Sequence, residues 1–337
     1  MGNGSWTGAR QRPDGTFEDG GAAGLPVKVE SEDGSVTLAP SPGQLRELVG
    51  RIGGQDDHFL VVQRVPDLPD VFVQVWHVTG REYRLEHRES RSRFFGTVIA
   101  PQGVEQVAEA VLGWARGDED WGRDLRWKPV DVDPPEEVPP LPDELREPVE
   151  ERIRELLRCG YLDREGLAEA AEEWLVGSEE AERAGPAQDD RPVSPEQARV
   201  LVDGLWLERV AESARWTGTT DPERLTRAFA ALEGAGITAR EDFTCCRGCG
   251  LAEIGAEAAD GARGFVFFHE QQTEAAAAGG GLFLLYGGFD GSAATAAAVG
   301  HEVVAALSAA GLSTQWDGSA GTALVVSPLD WRKRLVG

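Results

Sequence analysis

Residues 264–286 read Gly264-Phe265-Val266-Phe267-Phe268-His269-Glu270-Gln271-Gln272-Thr273-Glu274, then Ala275 to Ala278, Gly279-Gly280-Gly281 and Leu282-Phe283-Leu284-Leu285-Tyr286. Two short, nearly uninterrupted apolar runs, 264–269 and 282–286, flank a polar turn and an Ala-rich piece. Apolar runs of that length without alternation are strands buried on both faces. Thr273–Ala278 between them predicts a short helix, since Ala is the strongest helix former. Downstream, Ala293–Ala310 predicts a longer helix, and Ser313–Trp316 and Thr322–Val326 two more strands. Strands interleaved with helices imply a mixed sheet covered on at least one face by helices.

Upstream of this sheet the chain is helical. Asp143–Cys159 and Arg164–Leu175 bracket Gly160-Tyr161-Leu162 as an αα-hairpin. The polar stretch Gly177–Val193 reads as loop or disorder. Ser194-Pro195-Glu196 caps a long helix, and Thr220-Asp221-Pro222-Glu223 caps another that carries Leu225, Phe229 and Leu232 and ends at Gly234 and Gly236. A further helix starts near Cys246 and runs through Ile254.

Nearer the start, period-two alternation takes over. Val27 and Val29 face Val36 and Leu38 across a hairpin turn at Glu32-Asp33-Gly34. Ser41-Pro42 opens a helix through Leu45, Leu48, Val49 and Ile52. Strands follow at Phe59–Val65, Val71–Val78, Glu82–His87 and Phe94–Ile99. Val104, Val107, Val111, Leu112 and Ala115 then recur at helical spacing up to Gly117. Residues 25–130 therefore form an antiparallel sheet with two helices. Residues 1–24, Gly-rich and poor in aliphatics, are expected to be a disordered tail. Residues 131–142 hold five prolines and read as an acidic, semi-rigid linker. The fold class is α+β in two domains, with 143–334 as the second: a helical first half, then a mixed α/β sheet.

The chain has 337 residues, an apolar fraction of 41% that can support two cores, and a net charge of −25. Residues 131–190 alone carry 20 Asp and Glu against 6 Arg. That balance repels nucleic-acid phosphates, and no basic stripe offsets it. It favours a protein partner with a basic surface instead. No apolar run approaches the roughly 18 residues of a membrane span. Met1 to Gly24 has no apolar signal-peptide core, and Trp6 stands where a myristoylation motif needs Ser or Thr. A cytoplasmic location, without membrane association, is expected.

The chemistry gathers in Phe243-Thr244-Cys245-Cys246-Arg247-Gly248-Cys249-Gly250, which holds three of the four cysteines; the fourth is Cys159. Cys246-x-x-Cys249-Gly250 resembles one knuckle of a zinc ribbon, and a structural zinc ion needs four ligands. Cys245, His269, Cys159, His301, Glu253 and Glu274 are the available complements, with zinc the cofactor implied. The same pair at a helix start also fits dithiol redox chemistry. Thirdly, Cys245 or Cys246 followed by His269 and Asp290 reproduces the order of nucleophile, base and orienting acid in Cys-His hydrolases. The alternative for the sulfurs is a set of small buried thiols filling a helix–strand junction. His269, Gln271, Thr273 and Glu274, where a buried strand meets a helix, form a candidate binding set. Thr273, or Gln271-Gln272, is equally placed to cap the following helix. Gly279-Gly280-Gly281 and Gly287-Gly288 lack the spacing of a phosphate loop and read as turns.

Trp216-Thr217-Gly218-Thr219-Thr220-Asp221-Pro222 with Arg224-Leu225, the cysteine stretch with Glu253-Ile254, Phe268-His269 with Gln271 and Thr273-Glu274, Tyr286-Gly287, Trp316-Asp317-Gly318 and Asp330-Trp331-Arg332 together resemble an actinobacterial domain family of unknown function over about 143–334. The resemblance implies a shared fold and supplies no activity. In that family a His commonly follows the Cys-Gly pair and an Asp precedes the Thr-Glu pair. Leu251 and Gln272 stand there in this chain, so any ligand or catalytic role of those positions is lost. The first domain loosely resembles small α+β immunity-type proteins. The charge and the incomplete catalytic signature point to a non-catalytic interaction module, inhibitor or immunity-like, rather than an enzyme. The alternative is a metal-binding or thiol-dependent site at Cys245, Cys246, Cys249 and His269.

Overall fold

Alternating apolar residues build the first sheet. The computed structural model describes residues 10–11, 17–19, 22–132, 137–174 and 193–335. They fall into two compact units, bounded as Met1–Pro140 with Arg199–Leu207 and Val336–Gly337, and Leu141–Ala198 with Glu208–Leu335.

Within the stretch expected to be a disordered tail, β1 (Arg10–Gln11), β2 (Phe17–Asp19) and β3 (Ala22–Gly24) pair as a small antiparallel sheet. The rest of that tail lies outside the described residues. The first unit's main sheet contains β4 (Val27–Ser31), β5 (Val36–Leu38), β6 (Phe59–Arg64), β7 (Phe72–Trp76), β8 (Tyr83–Ser90), β9 (Arg93–Ile99) and β10 (Lys128–Pro129). Its order is β10-β9-β8-β7-β6-β4-β5, antiparallel throughout. Val27, Val29, Leu60, Val62, Val73, Val75 and Leu85 are fully buried on the face that the two-residue period selects. They join Leu45 and Val49 of α1 (Pro42–Arg51) and Val107, Val111 and Leu112 of α2 (Val104–Arg116) in one core. Strand β10 was not expected: two residues carry no periodicity, and a backbone bond from Val130 N–H to the Phe94 carbonyl (2.9 Å) extends the pairing.

The second unit opens with α3 (Asp143–Cys159) and α4 (Arg164–Trp174). Gly160 closes α3 in the left-handed conformation at φ +78°, a geometry that costs Gly little. Most of the expected loop 177–193 lies outside the described residues, as do residues 133–136 of the linker. Helices α5 (Pro195–Ser213) and α6 (Asp221–Gly234) both begin with the capping box their sequences encode. Ser194 Oγ accepts from Gln197 N–H at 3.2 Å, and the Gln197 side chain accepts from Ser194 N–H at 3.0 Å.

The second sheet comprises β11 (Ile237–Arg240), β12 (Gly264–Phe267), β13 (Leu282–Gly288), β14 (Thr314–Gln315) and β15 (Leu324–Val326), in the order β11-β12-β13-β15-β14. Only β11 and β12 run parallel among the described pairs, so the sheet is mixed. Between these strands lie α7 (Arg247–Glu253), a 3₁₀ turn over Ile254–Glu257, α8 (Glu270–Ala277) and α9 (Ala293–Ala309). Leu225, Phe229 and Leu232 of α6 and Val299, Val303 and Leu307 of α9 share a core with Val266, Phe268, Leu282, Leu284, Leu324 and Val326.

Two expectations change here. Gly287 and Gly288 are not a turn but the end of β13, paired with Phe265 and Gly264. Their lack of side chains makes room: a Cβ on Gly287 would meet the Phe265 ring at 2.8 Å. The helix expected from Thr273 starts three residues earlier, at Glu270, because His269 serves as its N-cap and its carbonyl accepts from Gln272 and Thr273 N–H (2.8 and 3.1 Å).

Candidate functional site

Parallel pairing of β11 with β12, from Ile237 opposite Gly264 to Arg240 opposite Phe267, releases both strands at the same edge of the sheet. The chain after β11 carries Glu241, Asp242, Phe243, Thr244 and the cysteines into α7. The chain after β12 carries Phe268 and His269 into α8. Carboxyl ends of adjacent parallel strands are where open sheets of this kind gather functional side chains. Backbone bonds join the two connections: Phe243 N–H donates to the Phe268 carbonyl (2.8 Å), and Glu270 N–H to the Thr244 carbonyl (3.1 Å).

That crossing requires left-handed backbone at Asp242 (φ +49°) and Thr244 (φ +63°). Asp tolerates such a conformation, whereas β-branched Thr is strained by it. Thr244 is held by the Glu270 bond and by its own hydroxyl, which donates to the Cys246 carbonyl at 3.2 Å. The strained turn swings the next residues outward and delivers Cys246 to the N-cap of α7 in extended conformation (φ −156°, ψ 169°).

Three sulfurs then converge. The Sγ atoms of Cys245, Cys246 and Cys249 all lie within 4.8 Å of one another, and those of Cys245 and Cys249 are 3.6 Å apart. Cys245 is exposed, and Cys246 and Cys249 are half-buried. The expectation of small buried thiols filling a junction therefore does not describe these three. The Cys249 backbone N–H, followed by the Cys249 thiol, the Gly248 N–H and the Cys245 thiol, stabilises the Cys246 thiolate and lowers its pKa. Hydrogen bonds with Cys245 and Cys246, reinforced by their charge, push the Cys249 thiol up to about 11. Of these two thiols, Cys246 is therefore the more readily ionised.

Among the described residues no histidine nitrogen or carboxylate oxygen joins the sulfurs at that spacing. Cys159 is buried, and burial, with the charges of Asp242 and Glu274, pushes its thiol up to about 12. His301 packs edge-on against Trp316, with ring centroids 5.0 Å apart. Glu253 is exposed.

His269 is only 4% exposed, its Nδ1 has no hydrogen-bond partner, and burial lowers its pKa, so it is neutral near pH 7. Asp290 does not stand beside it. Antiparallel pairing of β13 with β12 returns the chain to the beginning of β12, so Asp290 follows β13 at the opposite end from His269. There Asp290 accepts from Ser292 N–H (2.9 Å) and the Thr295 hydroxyl (2.7 Å), which keep its pKa low. The residues of the hydrolase order are present, but the strand direction separates the acid from the base.

The expected binding set divides as well. Gln271 is exposed, whereas Thr273 is fully buried and donates from its hydroxyl to Asp242 Oδ1 at 2.5 Å. Glu274 pairs with Arg152 of α3 at 2.8 Å. Thr273, which is buried, and Glu274, which is half-exposed, thus belong to a partly buried polar layer beneath the sulfur loop that sequence reading did not single out. Tyr161 donates to Glu241 Oε2 at 2.6 Å, and Lys333 Nζ lies 3.5 Å from the same oxygen and 4.0 Å from the Tyr161 ring centroid. Burial is the main cause that raises Asp242 from 3.8 to about 6. The one local signal was the acidic pair Glu241-Asp242 directly after an apolar strand; Tyr161 and Lys333 are too distant in sequence to be linked to it by spacing.

The remaining signature residues fasten the framework. Trp316 Nε1 donates to the Tyr286 hydroxyl at 2.8 Å, and Asp317 accepts from Ser319 N–H at 2.8 Å. Trp331 Nε1 donates to the Arg158 carbonyl at 3.1 Å, and Asp330 N–H donates to Asp221 at 2.9 Å. These bonds agree with the reading of 316–318 as a turn and 330–334 as an anchored segment. No helix of the described residues is long and apolar enough to cross a membrane.

A family model described as Domain of unknown function (DUF6891) matches residues 142–335, a span that contains the whole sulfur group and the polar layer beneath it. Neither a curated protein nor a solved structure matches the chain.

Proposed function

We propose that this chain, which belongs to the family described as Domain of unknown function (DUF6891), binds a soft metal ion through the thiolates of Cys245, Cys246 and Cys249. We take the spaced cysteines and the Trp-Asp-Gly and Asp-Trp-Arg pieces as marks of that family, in an actinobacterial lineage. The observation that carries the metal reading is the convergence of three sulfurs within 4.8 Å. Ions held at about 2.3 Å from each thiolate place sulfurs roughly 3.7–4.0 Å apart. The Cys245–Cys249 separation of 3.6 Å therefore needs adjustment of only tenths of an ångström. An incoming cation displaces the protons that the three thiols still carry.

Metal content of protein purified without chelator tests the reading. Close to one thiophilic ion per chain is expected, and the Cys245→Ser/Cys246→Ser/Cys249→Ser variant should lose it while keeping its circular dichroism. A content below about 0.1 per chain, with no uptake on reconstitution, would remove the proposal, given the tight binding typical of thiolate sites.

The net charge of −25 supports a second role, as an acidic, inhibitor- or immunity-like module for a basic protein surface. Helix α3 presents Asp143, Glu144, Glu147 and Glu151 to solvent. Capture of a specific partner from native extract at low salt, released at high salt, is the expected result. Recovery of no specific partner at low salt would count against this role.

A further inference from the structure

We infer that the sulfur site is built for copper(I), held by three thiolates and open to exchange, rather than for a closed four-ligand zinc ion. This deepens the metal reading above and rests on it.

The donor set is the first ground. It offers three sulfurs, and no fourth Cys, His, Asp or Glu ligand atom joins them among the described residues. Zinc in structural sites completes a tetrahedron, whereas thiolate-only donors suit copper(I), which is satisfied by two or three sulfurs. Three of the candidate completions are committed elsewhere: Cys159 is buried with its thiol pushed up to about 12, Glu274 pairs with Arg152, and His301 packs on Trp316. His269 and Glu253 bring no ligand atom to the sulfurs.

Position within the chain is the second ground. A structural ion stabilises a fold by tying together segments distant in sequence, because closing a longer loop removes more unfolded-chain entropy. Cys245 and Cys249 are only four residues apart in one turn and its following helix. A cross-link there removes little entropy, so folding is not what the ion would serve. The loop is already fixed without it, by the Phe243–Phe268 and Glu270–Thr244 backbone bonds.

Access is the third. Cys245 is exposed and the other two are half-buried, so a bound ion keeps one side toward solvent. A thiolate of an incoming acceptor can approach that side and take over ligands one at a time. Loading is a ligand exchange without electron transfer: Cu⁺ binds the three sulfurs as thiolates, each thiol that ionises releases its proton to solvent, and copper remains in the +1 state.

The full chain, reduced and metal-free, is titrated anaerobically with copper(I) against bathocuproine disulfonate and, separately, with zinc(II) against a colorimetric zinc chelator. The expected result is one copper per chain, bound at least roughly a thousandfold more tightly than zinc. X-ray absorption should show a three-sulfur shell around copper. Cys245→Ser, at an exposed position that folding does not depend on, should reduce that shell to two sulfurs and weaken copper binding by at least roughly tenfold. Cys159→Ser should leave binding unchanged. Zinc binding equal to or tighter than copper would overturn the copper assignment and leave the metal site standing. Uptake of neither ion would overturn both. Copper binding undiminished in the triple Ser variant would place the ion elsewhere and overturn the assignment to these sulfurs.

Discussion

The ring of Phe267 occupies the space in which Gly250 would carry a side chain: a Cβ there would lie 2.4 Å from Phe267 Cε2 and 2.7 Å from Cζ. Strand alternation turns Phe267 to the face opposite Val266 and Phe268, and this contact is how α7 reaches that face. Phe267 is fully buried, so its ring has little room to yield. The Gly that follows Cys249 is therefore a packing requirement, and the sulfur loop is seated on the sheet through it.

Gly250→Ala is accordingly expected to destabilise the second unit by about 1–3 kcal/mol, the usual cost of overpacking a filled site. An ordinary helical Gly→Ala change would instead stabilise by up to about 1 kcal/mol. Urea unfolding decides the sign. Gly250→Ala combined with Phe267→Leu should recover part of the loss, and a stabilised single variant would contradict the contact.

The second expectation concerns pH. Asp242 is raised from 3.8 to about 6 chiefly by burial, with Glu270 and Glu241 adding to the effect and Thr273 and Lys333 opposing it. Between those two values the unfolded chain has released this proton while the folded chain retains it. The contribution to stability is thus full below pH 4, falls as pH rises, and is lost above about 6, on the order of 3 kcal/mol in all. Asp242→Asn stays neutral and can still accept from the Thr273 hydroxyl. It should match the native chain near pH 4 and exceed it by up to that amount at pH 8. Parallel urea midpoints for the two proteins at pH 4 and 8 would show Asp242 to be uninvolved.

Thiol reactivity should sort by site. Cys246, whose thiolate is stabilised, is expected to react with iodoacetamide at pH 7 faster than Cys249, which is pushed up to about 11. Cys159, buried and pushed up to about 12, should remain unlabelled until the chain unfolds. Peptide mapping of brief labelling reads this order directly. Fast native labelling of Cys159 would contradict its burial, and Cys249 reacting ahead of Cys246 would contradict the hydrogen-bond pattern.

The two larger sheets were legible because burial imposes a period on the strands: alternation at Val27–Val29 marks a sheet with one covered face, and the apolar runs at 264–268 and 282–285 mark strands of the other. Phe283 is exposed, however, and Phe265 and Leu285 are half-buried, so these strands lack the cover on both faces that was expected of them. Helix starts were legible where a side chain performs the capping, as at Ser41, Ser194 and Thr220. The start of α8 was misplaced because His269 caps it by backbone alone. Within the site, the three sulfurs could be read together because they are neighbours in sequence. Strand direction, which parts Asp290 from His269, and the meeting of Tyr161, Glu241 and Lys333, depend on tertiary packing that no local pattern encodes.

The last expectation tests the anchoring of the family's C-terminal segment. Glu223 performs two tasks: Oε2 accepts from Thr220 N–H at 2.8 Å, completing the capping box of α6, and Oε1 pairs with Arg334 Nη1. Arg334 also donates to the Trp216 carbonyl at 2.9 Å. The two side chains are only 17% and 13% exposed, so removing either leaves a poorly solvated charge. Arg334→Met should therefore cost about 2–4 kcal/mol, near the range for breaking a buried pair. Glu223→Gln, which retains the cap acceptor, should cost less than Glu223→Ala, the difference reporting the cap at about 1 kcal/mol. The double variant Glu223→Gln/Arg334→Met should be less destabilised than the sum of its parts by more than about 1 kcal/mol, since each single change strands the other's charge. Simple additivity in urea unfolding would mean that the pair is screened by water and that Trp216, rather than Glu223, holds Arg334.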